Sequence, residues 1–212
     1  MMKRPEHHRL PLSSRMRVGI LGGSFNPAHD GHLQLSELAL RKLRLDRVVW
    51  MVSPQNPLKP KQGMERFSDR FASACSVAQD ARIIVSDFEY VMSSPYTTRS
   101  LTRLCAIHPR VQFVWIMGAD NLSTVHRWDR WTEIFAKVPV AVVARPGYQH
   151  RAAFSCAATR YKHARLRESE ADQLVMCKAP AWIYLRTLLN PISSTQIRHH
   201  AAGQGRRWPE MI

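Results

Sequence analysis

No apolar run in this chain approaches the roughly 18 residues needed to cross a bilayer, so no membrane span is expected. The stretch Met1–Arg15 is basic, with Lys3, Arg4, Arg9 and Arg15, but no apolar segment follows it. A secretory leader is therefore not expected. The stretch reads as a disordered extension covering residues 1–15, with Met16 a candidate functional start and 16–212 one domain. A cytoplasmic location is the expectation. Cysteine is sparse: Cys75, Cys105, Cys156 and Cys177 are far apart and none belongs to a Cys-x-x-Cys pair. That spacing suggests neither a disulfide framework nor a zinc site, and reduced thiols fit best. Acidic residues are also few, 16 against 31 Lys and Arg, which leaves a formal charge of +15. Such a surplus suits polyanionic partners, either nucleic acid or phosphate-rich small molecules. Its members are dispersed, and no zinc-finger, basic-zipper or RNP pattern accompanies them, so a solvated basic surface accounts for most of it. No internal repeat or low-complexity stretch is present.

What the chain does have is enough apolar material, 45% over 212 residues, for one substantial α/β domain. Runs rich in Val and Ile occur at 17–21, 47–52, 82–85, 111–117, 138–144 and 182–185. They are apolar on both faces, as in a buried parallel sheet, and helix-like segments separate them. The alternation predicts a Rossmann-like, doubly wound parallel sheet in a single domain, with ligands at the carboxyl ends of the strands. Residues 149–179 are poorly patterned and read as a surface excursion.

The sharpest local signal is Gly22-Gly23-Ser24-Phe25-Asn26-Pro27-Ala28-His29-Asp30-Gly31-His32, between the first apolar run and an amphipathic segment from Leu33 to Leu43. It reads as strand, glycine-rich turn and helix. The glycines allow the backbone close to an anionic ligand, and a helix start offers unpaired N–H groups to phosphate. His29 and His32 can converge on one site. Further polar turns follow the later strands: Ser53 to Lys59, Ser86 to Glu89, Gly118-Ala119-Asp120-Asn121, Arg145 to Tyr148, and Ile192 to Arg198.

Taken together, GGSFNPAHDGH, SPQNPLK, SDFEY, SPYTTRSL, WIMGADNL, ARPGY and ISSTQIR resemble the HxGH nucleotidyltransferases, and among them the bacterial nicotinate-nucleotide adenylyltransferases. The resemblance runs from about Arg17 to Arg198. It implies transfer of the adenylyl group of ATP to nicotinate mononucleotide, giving deamido-NAD and pyrophosphate, with Mg²⁺ held mainly by the ATP phosphates and water. It also implies roles for single residues. His29, His32 and Arg198 would stabilise charge on the reacting phosphates. Gly22, Gly23, Ser24 and Phe25 would surround the adenosine and its phosphates, although Phe25 serves equally well as a packing residue. Ser193, Ser194 and Thr195 would form a second phosphate-binding motif, and Asp120 would lie near the ATP ribose. On the acceptor side, Lys59 would offset phosphate charge, Trp128 would stack on the pyridine ring, and backbone N–H groups at Thr98 would take the nicotinate carboxylate. Trp131 reads as core. Asp87 and Glu89 could be an acid/base pair, but a phosphate nucleophile is already ionised, so both read as loop structure.

No protein ligand is expected for a metal, no specific nucleic acid for the basic surface, and self-association is left open. Two alternatives stand beside the leading reading. One is the same chemistry on nicotinamide mononucleotide or pantetheine phosphate. The other is a basic nucleic-acid-binding protein that keeps the fold; an intact His29/His32 pair together with Arg198 argues against it.

Overall fold

The computed structural model describes residues 10–54, 62–145 and 147–186. Six strands form one sheet: β1 (Arg17–Gly23), β2 (Arg47–Val52), β3 (Ile83–Ser86), β4 (Gln112–Gly118), β5 (Val140–Val143) and β6 (Trp182–Leu185). All pair in parallel, in the order β3-β2-β1-β4-β5-β6. This is the doubly wound arrangement expected from the alternation of runs, and its topological switch lies between β1 and β4. The strand positions agree with the sequence within a few residues. The main difference is at β1, which continues through Gly22 and Gly23 instead of turning there.

Successive strand residues point to opposite faces, and the two cores divide accordingly. Val48, Trp50 and Val52 pack on one face with Val114, Ile116, Ala141, Val143, Ile183 and Leu185. Helix α1 (Asp30–Lys42) covers that face with Leu35, Leu38 and Ala39, and α2 (Phe67–Val77) adds Ala74. Val49, Met51, Phe113, Trp115, Met117, Val140, Val142 and Trp182 face the other way. They meet α3 (Phe88–Val91), α4 (Thr97–Ile107), α5 (Ala119–Thr124) and α6 (Trp131–Lys137).

The segment read as a surface excursion is a structural part of both layers. Helices α7 (Gln149–Ala153) and α8 (Cys156–Arg160) bury Ala152, Ala157 and Ala158 in the second core. A 3-10 stretch, Glu168–Met176, buries Ala171, Leu174 and Val175 in the first. Its elements are short and lean on alanine, so no helical period long enough to notice arises in the sequence. At the other end, the stretch read as a disordered extension is described from Leu10 onward. There Leu10 is buried, and the Arg15 N–H donates to the Arg110 carbonyl at 2.8 Å. All four cysteines are free thiols. Among the described residues no helix is long and apolar enough to cross a membrane.

Candidate active site

A cleft of about 380 Å³ opens where the carboxyl ends of β1 and β4 part. Gly22, Gly23 and Ser24 form one wall, Trp115 and Trp128 another, and Tyr96 and Thr97 at the start of α4 a third. Gly22 is required here for a reason other than ligand approach: a Cβ on it would overlap the Trp115 indole. Gly22 therefore lets β1 run flush against that ring, and both glycines belong to the strand, a correction to their reading as a turn. Trp115 and Trp128 meet edge to face, with ring centroids 6.4 Å apart, an arrangement favoured by the ring quadrupoles. Trp128 keeps a face on the cleft, whereas Trp131 packs on Phe135 and Tyr161 as expected of a core residue.

At α4 the N–H groups of Arg99 and Ser100 both reach the Tyr96 carbonyl, and Tyr96 offers no side-chain cap. Among the described residues no such bond involves the N–H groups of Thr97 and Thr98, which stand in the first turn where donors have no partner within the helix. Thr97 lines the cleft. The Thr98 side chain is buried behind it, its Oγ1 without a partner among the described residues.

The histidines stand beside the cleft at the start of α1. His29 is the N-cap: its Nδ1 accepts from the Gly31 N–H at 3.0 Å, and its own N–H donates to His32 Nδ1 at 3.3 Å. Accepting through Nδ1 places the proton of the neutral ring on Nε2. That Nε2 is buried and has no partner among the described residues. Burial first, and the nearby Arg145 charge second, lower the His29 pKa to about 4. His32 is braced from below: Phe25 lies 4.8 Å from its ring and stacks on Trp50 at 5.1 Å. The Trp50 indole N–H donates to Ser36 Oγ at 2.7 Å, and the Ser36 hydroxyl donates to the His32 carbonyl at 2.8 Å. Phe25 takes the packing option, fully buried in a left-handed conformation with φ of 46°.

Asp120 does not cap α5. It ion-pairs with Arg145 at 3.1 Å, leaving Oδ1 buried and without a partner among the described residues. Arg145 is thus paired with Asp120 while its charge also acts on His29. The sequence quoted it only within ARPGY and assigned it no task; its place directly after a sheet strand was the available signal. Arg70 was also passed over. Its buried guanidinium donates to four carbonyls: Ser24 at 2.6 Å, Ser53 at 2.8 Å, Pro54 at 2.8 Å and Glu65 at 3.1 Å. This ties the turn after β1 to the end of β2. A lone arginine in an amphipathic helix carries no sign of such a role.

The structure thus brings Gly22, Gly23, Ser24 and Trp128 to the cleft wall. His29, His32 and Asp120 are not in its lining: the histidines begin the helix that follows Ser24, Asp120 adjoins the lining residue Asn121, and Phe25 packs on His32. Lys59, Ser193, Ser194, Thr195 and Arg198 lie outside the described residues.

The family model described as cytidylyltransferase-like matches residues 20–200. A "Probable nicotinate-nucleotide adenylyltransferase" of Caulobacter sp. (strain K31) is 50% identical over 183 residues, covering 86% of this chain and 97% of the relative. The chain belongs to the nicotinate-nucleotide adenylyltransferase family. A second relative of that name, from Methylorubrum extorquens (strain PA1), is 48% identical across 86% of this chain and 99% of its own. Among solved structures, Plasmodium falciparum nicotinic acid mononucleotide adenylyltransferase complexed with NaAD aligns with a TM-score of 0.65. That alignment covers 86% of this chain and 82% of the other at 16% identity, a likeness of fold. Relatives of that name thus align with 86% of this chain and with nearly all of their own length.

Proposed function

We propose that the protein transfers the adenylyl group of ATP to nicotinate mononucleotide, releasing pyrophosphate and forming deamido-NAD. The observation that carries this reading is a neutral His29 whose Nε2–H has no partner among the described residues, at the helix that follows the glycine wall of a cleft with an aromatic side. In the reaction an oxygen of the mononucleotide phosphate attacks the α-phosphorus of ATP. The bond from that phosphorus to the bridging oxygen breaks, and pyrophosphate leaves. The nucleophile is already ionised, so the protein's work is to bring two polyanions together and to meet the charge on the phosphoryl oxygens. His29 donates through Nε2 without needing a charge, and His32, braced by Phe25 and Trp50, shares the task. Arg145 adds a fixed cation next to His29, while Asp120 holds it and offers Oδ1 to a ribose hydroxyl.

On the acceptor side, Trp128 gives the pyridine ring a stacking surface, and the Thr97 and Thr98 N–H groups suit a carboxylate. Among the described residues no group of three His, Cys, Asp or Glu side chains could hold a metal ion. In our reading Mg²⁺ enters with ATP, on its phosphates and water. The test is pyrophosphate release from MgATP with nicotinate mononucleotide, nicotinamide mononucleotide or pantetheine phosphate. Turnover chiefly with the nicotinate acceptor is expected. Turnover with pantetheine phosphate alone would overturn the roles of Trp128 and α4, and silence with all three would overturn the reading.

A further inference from the structure

One carboxyl group in the cleft wall has no part in the reaction as derived above. Glu89, on α3, is buried with only 3% of its surface exposed, yet it lines the same cleft as Tyr96 and Thr97. Its Oε1 accepts from the Ser100 hydroxyl at 2.9 Å, and its main-chain carbonyl accepts from the Ser94 N–H at 3.2 Å. Ser100 is one turn into α4, and its own N–H is bonded to Tyr96. Glu89 therefore grips the helix whose first N–H groups face the acceptor. Among the described residues no basic side chain pairs with it, unlike most buried carboxylates.

We propose that Glu89 is the positioning residue that sets the preference for an acidic over an amide acceptor, favouring the acid while its carboxyl is protonated and opposing it once ionised. This inference rests on the acceptor reading above. Two carboxylates facing one cleft, one of them buried, repel, so binding of an acidic acceptor and ionisation of Glu89 oppose each other. An uncharged amide acceptor feels no such opposition. Burial pushes Glu89 up to about 7, against the opposing hydrogen bonds from Ser100 and Ser53. The switch therefore falls in the physiological range. The other titratable or charged groups around it are Asp87 and Tyr90 on its own segment and Tyr96 from α4. Arg127 and Asp129 complete the cleft lining, and Arg70 is bonded to the Ser53 carbonyl. Burial, not any of these charges, is the dominant cause.

The test is the ratio of kcat/KM for nicotinate mononucleotide to that for nicotinamide mononucleotide, followed from pH 6 to pH 9. Taking the ratio cancels titration of the shared phosphate, of ATP and of the histidines. In the unmodified enzyme the ratio should fall about tenfold as pH rises, as for one unit of coupling. In Glu89→Gln it should stay flat. If that variant fails to fold, Ser100→Ala supplies the second arm: loss of a hydrogen bond that stabilises the ionised form moves the fall to higher pH. A ratio independent of pH in the unmodified enzyme, or the same fall in Glu89→Gln, overturns the proposal while leaving the activity in place. Absence of turnover with either mononucleotide overturns the acceptor reading, and this inference with it.

Discussion

The imidazoles of His29 and His32 lie 4.0 Å apart, centroid to centroid, tilted by 49°, and joined by the His29 N–H to His32 Nδ1 bond. The His29 main chain holds the His32 ring and the Gly31 N–H holds that of His29, so on the proposed mechanism the pair acts as one preorganised donor unit. His29 is neutral at any pH well above about 4. Hence kcat should show no decline from loss of a His29 proton between pH 6 and 8. His29→Ala should lower kcat by about 100-fold or more, as loss of one oriented donor does, with the far-ultraviolet circular dichroism unchanged. A kcat within threefold of the unmodified enzyme would remove the role assigned here.

The same residue links folding to acid. Its folded pKa lies below its unfolded value of 6.5, so the unfolded chain binds the proton first. The stability it confers is present above pH 6.5 and is lost as pH falls toward about 4. Urea midpoints for His29→Asn should therefore drop less than those of the unmodified protein across that window.

Glu89 has the opposite sign. Its folded pKa of about 7 exceeds the ordinary 4.5, so stability is fullest below pH 4.5 and is lost as pH rises toward 7. Glu89→Gln should gain on the unmodified protein through that window, by about 3 kcal/mol if the full difference is expressed. Urea unfolding at pH 5 and pH 8 measures it.

Trp128→Ala should raise KM for the mononucleotide several-fold, in keeping with about 1 kcal/mol for an aromatic stack. KM for ATP should be unchanged. Equal effects on both substrates would place the indole elsewhere.

Arg70→Met should cost about 3 kcal/mol or more, because four carbonyls, that of Ser53 fully buried, lose their donor at once. Arg70→Lys should recover little of this, since an ammonium has three donors and no planar fork. Thermal unfolding gives the stability, and an accompanying rise in KM for ATP would report the slackened turn at Ser24.

The sheet was legible because its strands are buried on both faces, which writes a continuous Val/Ile signal into the sequence. The glycine-histidine segment was legible because few residue sequences combine those spacings. Other parts left no such mark. Ala152, Ala157 and Ala158 are core residues of short helices and have no visible period. Arg70 and Arg145 look like any other members of a basic surface until the chain is folded. Gly22 and Gly23 were read as open backbone, because the ring that fills the space above Gly22 comes from Trp115, more than ninety positions away. Glu89 was set aside on chemistry: the reaction needs no base, and that reasoning is silent on a carboxyl that tunes binding.

The strand order has a consequence for the chain during its synthesis. The halves β1–β3 and β4–β6 touch in the sheet only where β1 pairs with β4. A ribosome that has delivered the first half has already made the histidine pair, but the aromatic floor under Gly22 and the α4 donors have not yet emerged. On the proposed reading, a nascent chain carries its phosphate-binding groups well before it has anywhere to seat an acceptor, and both substrates gain their places only once the second half has docked.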